Sequence, residues 1–352
     1  EQRYATIPTL RLETGFVLSN ITVAYTCYGT LNERRDNAVV ICHAMTGNAD
    51  PKGSWWKSIF DTPDAVLNDP RLCVFCLNVL GSPYGSTCPL SYIDNDPARG
   101  TWGRKFPITT IRDDVRLHKL VLDNIGVRSV ACVIGGSMGG MQALEWAYLG
   151  DEYVKSIIVM ACGAQQSAWA LGQNHLQRNL IIQSSDAPAS LAAARVAAMM
   201  TYRSYASINR RFPRKDRLLP DANHDPTCQY AVQSYLNYQG AKFVSRFDAN
   251  CYLAIMDKLD SHDLIRRPNS ATASSPTDTA EAICIRQPAL IIGITSDTLY
   301  PPIEQRNMAE SIPKAELHIL DSEEGHDAFL LEPIRINKLM ADFMYQHLPV
   351  IS

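Results

Sequence analysis

The stretch with the clearest chemical potential is Val133-Ile-Gly-Gly-Ser-Met-Gly-Gly-Met-Gln-Ala-Leu-Glu-Trp-Ala. Within it Gly135-Gly136-Ser137-Met138-Gly139 satisfies G-x-S-x-G, directly after a buried-strand pattern and directly before a helix pattern. A serine held in so sharp a bend projects its hydroxyl at the carboxyl end of a sheet. The flanking glycines are needed because side chains there would strike the strand or the helix. The amide of Met138 then points to where an oxyanion forms when the serine attacks a carbonyl. The predicted chemistry is acyl transfer or ester cleavage through a covalent acyl-serine.

Such a serine needs a base, and the base needs an orienting carboxylate; in elbow enzymes these follow along the chain as serine, acid, histidine. After Ser137 the chain offers His175, His224, His262, His318, His326 and His347. Only His326 lies in a short polar loop, Asp321-Ser-Glu-Glu-Gly-His-Asp, between the last strand pattern and the last helix pattern. The other five fall in strand, helix or insertion patterns and read as surface or packing residues. Asp297 follows Ile291-Ile-Gly-Ile-Thr-Ser, just past the end of a strand pattern, and is the expected acid. A turn or N-cap aspartate is the plainer alternative for it, and Asp260 and Asp263 compete from the helix-rich stretch. The second oxyanion donor is expected at the Met45 amide, in the loop Cys42-His43-Ala44-Met45-Thr46-Gly47. His43 precedes Ser137 and reads as a loop-structuring residue.

The elements that must position these residues alternate along the chain. Residues 1–30 show a period of two (Leu10, Leu12, Phe16, Leu18, then Ile21, Val23, Tyr25), as expected of half-buried antiparallel strands. Continuous apolar runs at Ala38–Cys42, Leu72–Leu77, Ser129–Ile134, Val154–Met160, Ala289–Ile294 and Glu316–Leu320 suit strands buried on both faces. Helix patterns at Asp113–Asn124, Met138–Tyr148, Pro302–Ser311 and Pro333–His347 separate most of them. This alternation predicts an α/β class with a mostly parallel sheet flanked by helices. Residues 162–287 interrupt it with helix-favouring stretches (Ala164–Gln183, Ala187–Tyr202, Tyr230–Tyr238, Ala249–Asp260) and a polar segment at Asn269–Thr279 that reads as a mobile loop. The organisation expected is a core of residues 1–161 and 288–352 with a helical insertion at 162–287.

Composition narrows the class of protein. The 352 residues are 46% apolar and 20% charged, with 33 basic and 36 acidic side chains and a formal net charge of −3. That balance offers no attraction to a nucleic-acid backbone or an anionic membrane, and no apolar run approaches the roughly 20 residues of a membrane span. Ten cysteines are scattered, several inside apolar runs. Cys73 and Cys76 form a C-x-x-C, but within a strand pattern and without a second pair or a histidine cluster, so no metal is expected. Reduced thiols predict a cytoplasmic protein. The sequence starts at Glu1, not at a methionine, which leaves room for a targeting segment ahead of it.

The motifs together resemble one family. Gly135–Ala147 is similar to the elbow of the homoserine O-acetyltransferases, enzymes of the α/β-hydrolase fold with a helical lid. Cys42–Gly47, Asn78–Thr87, Phe106–Asp114, Thr201–Ser204, Phe247–Leu253, Ser296–Asp297 and Gly325–Asp327 match as well, so the resemblance covers nearly the whole chain. It implies the triad Ser137, Asp297 and His326, with Met45 and Met138 as oxyanion donors. It further implies Arg203 as holder of the substrate carboxylate and Asp327 as receiver of its ammonium. It implies acetyl-CoA as co-substrate with no permanently bound cofactor, and a homodimer. Fungal relatives in the same set act on other alcohols, deacetylcephalosporin C and serine among them. The chain departs from the common pattern at Gln183–Pro188 and at Ser82-Pro83. Homoserine is therefore the expected acceptor, with serine, a secondary-metabolite alcohol, or plain ester hydrolysis as alternatives.

Overall fold

The computed structural model describes residues 1–214, 228–264 and 283–349; His224 and the polar segment 269–279 lie outside the described residues. Eight strands form one sheet: β1 (Arg3–Arg11), β2 (Val17–Gly29), β3 (Ala38–Cys42), β4 (Cys73–Leu77), β5 (Val130–Gly136), β6 (Ile157–Met160), β7 (Ala289–Ile294) and β8 (Ala315–Leu320). Their order is β1-β2-β4-β3-β5-β6-β7-β8. β1 and β2 pair antiparallel, β2 runs antiparallel to β4, and every later pairing is parallel. The division follows the sequence pattern. β1 and β2 alternate buried and exposed positions, whereas β3 to β7 are buried throughout because helices cover both faces.

Those helices are α1 (Lys57–Phe60), α2 (Ile111–Ile125) and α3 (Met138–Ala147) before β6, and α9 (Pro302–Ser311), α10 (Ala328–Leu331) and α11 (Pro333–His347) after β7. Between β6 and β7 run α4 (Ala168–Ile182), α5 (Ala187–Tyr202), α6 (Tyr205–Arg211), α7 (Ala231–Val244) and α8 (Ala249–Asp260). Two apolar clusters sandwich the sheet. Val40, Phe75, Val133 and Val159 pack with α2 and α3 on one face, and Val39, Val74, Ile134 and Ile158 pack with α1 and α11 on the other. Leu191, Phe243, Tyr252 and Ile255 of the helical block join the first cluster, so the block shares a core with the sheet.

A fully buried ion pair fastens that junction. Lys258 Nζ on α8 lies 2.5 Å from Asp114 Oδ2 on α2, with both side chains wholly inaccessible. The ammonium also donates to the Leu80 carbonyl at 2.7 Å, while Asp114 Oδ1 accepts the Leu80 amide at 3.0 Å.

The structure corrects the sequence reading in detail. The strand expected at Val154–Met160 pairs in a ladder only from Ile157, opposite Val133 on β5 and Ala289 on β7, and Val154 makes an isolated bridge to Val130. Three short helices, α1, α6 and α10, have too few residues to show a period. Cys73 and Cys76 stand three apart on β4 and so face opposite clusters, which no single ion could bridge.

Candidate active site

β3 and β5 are neighbours, and the chain leaves them in opposite directions along the sheet, to β4 on one side and β6 on the other. Crevices outside the carboxyl ends of strands open at such a reversal. Cys42 pairs with Gly135 at those ends. The loop carrying Met45 therefore starts beside the bend carrying Ser137.

Ser137 sits at φ 57°, ψ −126°, a conformation costing an L-residue about 1–3 kcal/mol. Its amide is pinned to the Met160 carbonyl at 2.9 Å. The flanking glycines answer to close backbone approach. A Cβ on Gly135 would lie 2.0 Å from the Gly139 carbonyl oxygen, and one on Gly139 would lie 2.0 Å from that of Cys42. Met138 opens α3, so its N–H has no partner within the helix. Among the described residues, the amides of Met45 and Met138 donate to no backbone acceptor.

His326 lies in the short helical turn Gly325–Asp327, buried against the rings of Tyr202, Tyr300 and Phe329 at centroid distances of 6.1, 5.5 and 5.7 Å. Its Nδ1 is 2.8 Å from Asp297 Oδ2. Asp297 Oδ1 accepts the amides of Leu299 and Tyr300 at 2.8 and 3.0 Å. Asp297 is thus a turn aspartate and the partner of the imidazole together. Burial works against the charged ring, but the charge and hydrogen bond of Asp297 outweigh it and hold the His326 pKa above its ordinary value. Ser296 couples the two loops: its hydroxyl donates to the Ser322 carbonyl at 2.6 Å and accepts the Gly325 amide at 3.0 Å.

Ser137, His326, Asp327, Met45, Tyr202 and Arg195 line one cavity of about 160 Å³. Asp327 has its pKa raised, chiefly by burial, against the opposing pull of His326, Arg203 and Arg195. Arg203 is not in that wall. Its guanidinium pairs with Glu324 and, at 3.3 Å through Nε, with Asp327 Oδ2. Arg195 is in the wall; its Nη1 is buried and hydrogen-bonds to nothing among the described residues. Sequence reasoning missed it, although it is the one charged residue of the alanine-rich α5.

The remaining histidines occupy other places. His43 is buried beside the site, its Nε2 accepting the Val79 amide at 3.3 Å and its Nδ1 donating to the Ala44 carbonyl at 2.8 Å. Burial pushes its pKa down to about 4, so it is a neutral brace for the Met45 loop. His347 Nε2 meets Glu316 Oε1 at 2.7 Å, far along the sheet on β8. Of the competing acids, Asp260 pairs with Arg178 at 2.6 Å.

Residues 37–333 match the α/β hydrolase fold family. A homoserine O-acetyltransferase of Emericella nidulans is 39% identical over the whole of this chain and 88% of its own length. The chain belongs to the homoserine O-acetyltransferase family. It is accordingly an acyltransferase on an α/β-hydrolase scaffold. A solved homoserine O-acetyltransferase from Staphylococcus aureus superposes with a TM-score of 0.76 at 27% identity, over 97% of this chain and 95% of that one. Esterase E22 shares the fold, with a TM-score of 0.83 at 20% identity over 98% and 99% of the two chains. Scaffold shape alone does not separate transfer from hydrolysis. The contents of the cavity wall bear on that choice.

Proposed function

We propose that the chain is an acetyl-CoA-dependent O-acetyltransferase whose acceptor is a small amino-acid alcohol, L-homoserine. The observation that carries this reading is the wall of the 160 Å³ cavity, which sets one carboxylate, Asp327, and one guanidinium, Arg195, beside the serine and the imidazole. That pairing complements a zwitterion: ammonium toward Asp327, carboxylate toward a guanidinium. Arg203, the guanidinium implied by the family motif, touches the same carboxylate from behind. A neutral alcohol would leave the buried Arg195 Nη1 unanswered, whereas an acceptor carboxylate would satisfy it.

In the proposed mechanism His326 takes the proton of Ser137, whose oxygen attacks the thioester carbonyl. The Met45 and Met138 amides hold the oxyanion, each such donor supplying about 3 kcal/mol. Collapse breaks the carbon–sulfur bond, and the imidazolium returns its proton to the departing thiolate. His326 then deprotonates the acceptor hydroxyl, which takes the acetyl group and frees Ser137. Asp297 keeps the ring oriented and stabilises its charged form.

Incubation with acetyl-CoA and homoserine, serine, larger alcohols or water alone, following thiol release, tests the assignment. Homoserine-dependent release with an acetyl adduct on Ser137 is the expected result. Equal release without acceptor would make the chain a hydrolase, and preference for another alcohol would reassign the acceptor. Ser137→Ala is expected to abolish both adduct and turnover. We further propose a cytoplasmic homodimer; the ten cysteines are scattered through the chain and eight of them are buried, which suits a reducing compartment. No helix among the described residues is long and apolar enough to cross a membrane.

A further inference from the structure

Six polar side chains, His43, Asn78, Asp114, His118, Gln142 and Lys258, are buried near the carboxyl ends of β3 and β4, and each hydrogen-bonds to the loop that follows one of those strands. Lys258 and Asp114 hold Leu80 by its carbonyl and its amide. Two residues earlier the Asn78 carbonyl accepts the Ser86 hydroxyl at 2.8 Å and His118 Nε2 at 3.3 Å. The Val79 amide belongs to that same peptide unit, points the other way and donates to His43 Nε2 at 3.3 Å. The ring is left one place for its proton, Nδ1, and Nδ1 donates to the Ala44 carbonyl at 2.8 Å. The Gly47 amide donates to the same carbonyl at 2.9 Å, and Gln142 on α3 donates to the carbonyl of His43 itself at 3.3 Å. Burial and the charge of Lys258 keep the ring neutral, so Nε2 stays free to accept.

The Ala44 carbonyl and the Met45 N–H are the two ends of one trans peptide, which is planar, so they point in opposite directions. Holding the carbonyl toward His43 turns the N–H the other way, and Met45 lines the cavity that contains Ser137. We propose that His43 is a positioning residue of the oxyanion hole: its Nδ1–H, acting through the Ala44 carbonyl, aims the Met45 amide at the charge that develops on the acyl oxygen. The inference deepens the acyl-serine reading above and rests on it. Lys258 extends the requirement to the helical block, because α8 helps to fix the peptides that hold the ring.

Asparagine and glutamine divide the imidazole between them, since the amide of asparagine falls near Nδ1 and that of glutamine near Nε2. His43→Asn therefore keeps a donor for Ala44, and His43→Gln keeps only an acceptor for Val79. The test follows acylation of Ser137 by acetyl-CoA and by p-nitrophenyl acetate, and reads the carbonyl stretch of isotope-labelled acetyl-Ser137 by difference infrared spectroscopy. His43→Gln is expected to slow acylation by both donors about 10²-fold, the cost of one oxyanion donor, and to move the carbonyl band to higher frequency as its hydrogen bond weakens. His43→Asn should restore most of the rate and return the band toward its original place. Equal losses in the two variants, or a band that stays put in His43→Gln, would overturn the positioning role and leave the transferase reading intact. If p-nitrophenyl acetate gives the expected pattern while acetyl-CoA never acylates Ser137, the positioning role stands and the donor assignment falls. If neither acylates Ser137, both fall. Should the variants not fold, NMR of the ring nitrogens in the unaltered protein decides: a proton on His43 Nδ1 supports the role, and a proton on Nε2 overturns it.

Discussion

His326 must be unprotonated to act as base, and Asp297 raises its pKa above the ordinary 6.5 despite burial. The acid limb of kcat/KM is therefore expected above pH 6.5, the rate rising as the ring loses its proton. In Asp297→Asn the attraction is gone and burial prevails, so the limb should move to lower pH while turnover drops by about 10⁴-fold. A pH–rate profile of both proteins checks the sign; a limb that stays in place would remove Asp297 from control of the ring. For the proposed acceptor carboxylate there are two candidate arginines, which steady-state kinetics can tell apart. Arg195→Ala is expected to raise the homoserine KM by about tenfold or more. Arg203→Ala should instead lower kcat in both half-reactions, because it frees Glu324 and Asp327 on either side of His326. A selective KM effect in Arg203→Ala would restore the assignment implied by the family motif.

At the level of elements, the helical block grips the turn that carries His326. Ser204, which caps α6, donates its hydroxyl to the Glu323 carbonyl, Ser207 donates to Glu324 at 2.7 Å, and Arg210 pairs with both glutamates. The fit is tight: a Cβ on Gly325 would fall 2.6 Å from the Ser204 amide nitrogen. The buried Lys258–Asp114 pair is the second fastening. Lys258→Ala leaves Asp114, whose pKa burial already raises to about 6, without its cation. A loss of about 3–5 kcal/mol in denaturant unfolding is expected; a loss below 1 kcal/mol would mean that water reaches the site. The sequence made some of this readable and not the rest. Ser137 and His326 announced themselves through local context, an elbow between two periodic runs and a polar loop after the last strand. The partnership of Lys258 with Asp114 spans 144 positions, and neither residue has neighbours that set it apart from a solvated charge. Arg203 was legible as a motif residue, yet its pairing with Glu324, 121 positions away, depends on how two loops meet. The limit of β6 was not legible, because Val154 belongs to the same apolar run as Ile157 and yet makes only an isolated bridge to Val130.

At the scale of the whole molecule, strands β3 to β7 are covered on both faces, but the helical block leaves apolar surface open. Trp169 and Leu176, seven residues apart on α4 and so on one side of it, are 56% and 51% exposed. Covering them with the same face of a second copy gives the proposed dimer its interface. Light scattering should give twice the chain mass, and Trp169→Glu/Leu176→Glu should give the chain mass; an unaltered mass would move the contact elsewhere. The grip of Ser204, Ser207 and Arg210 on Glu323 and Glu324 has a consequence for how such proteins diverge. The helical block and the turn that carries His326 are mechanically one piece. Transplanting the five-helix segment from a relative would leave the imidazole unmoored unless the two glutamates travelled with their arginines. Changes of acceptor within this lineage should then arise by point replacement inside the cap, and wholesale exchange of that segment should yield well-folded but inert chimaeras.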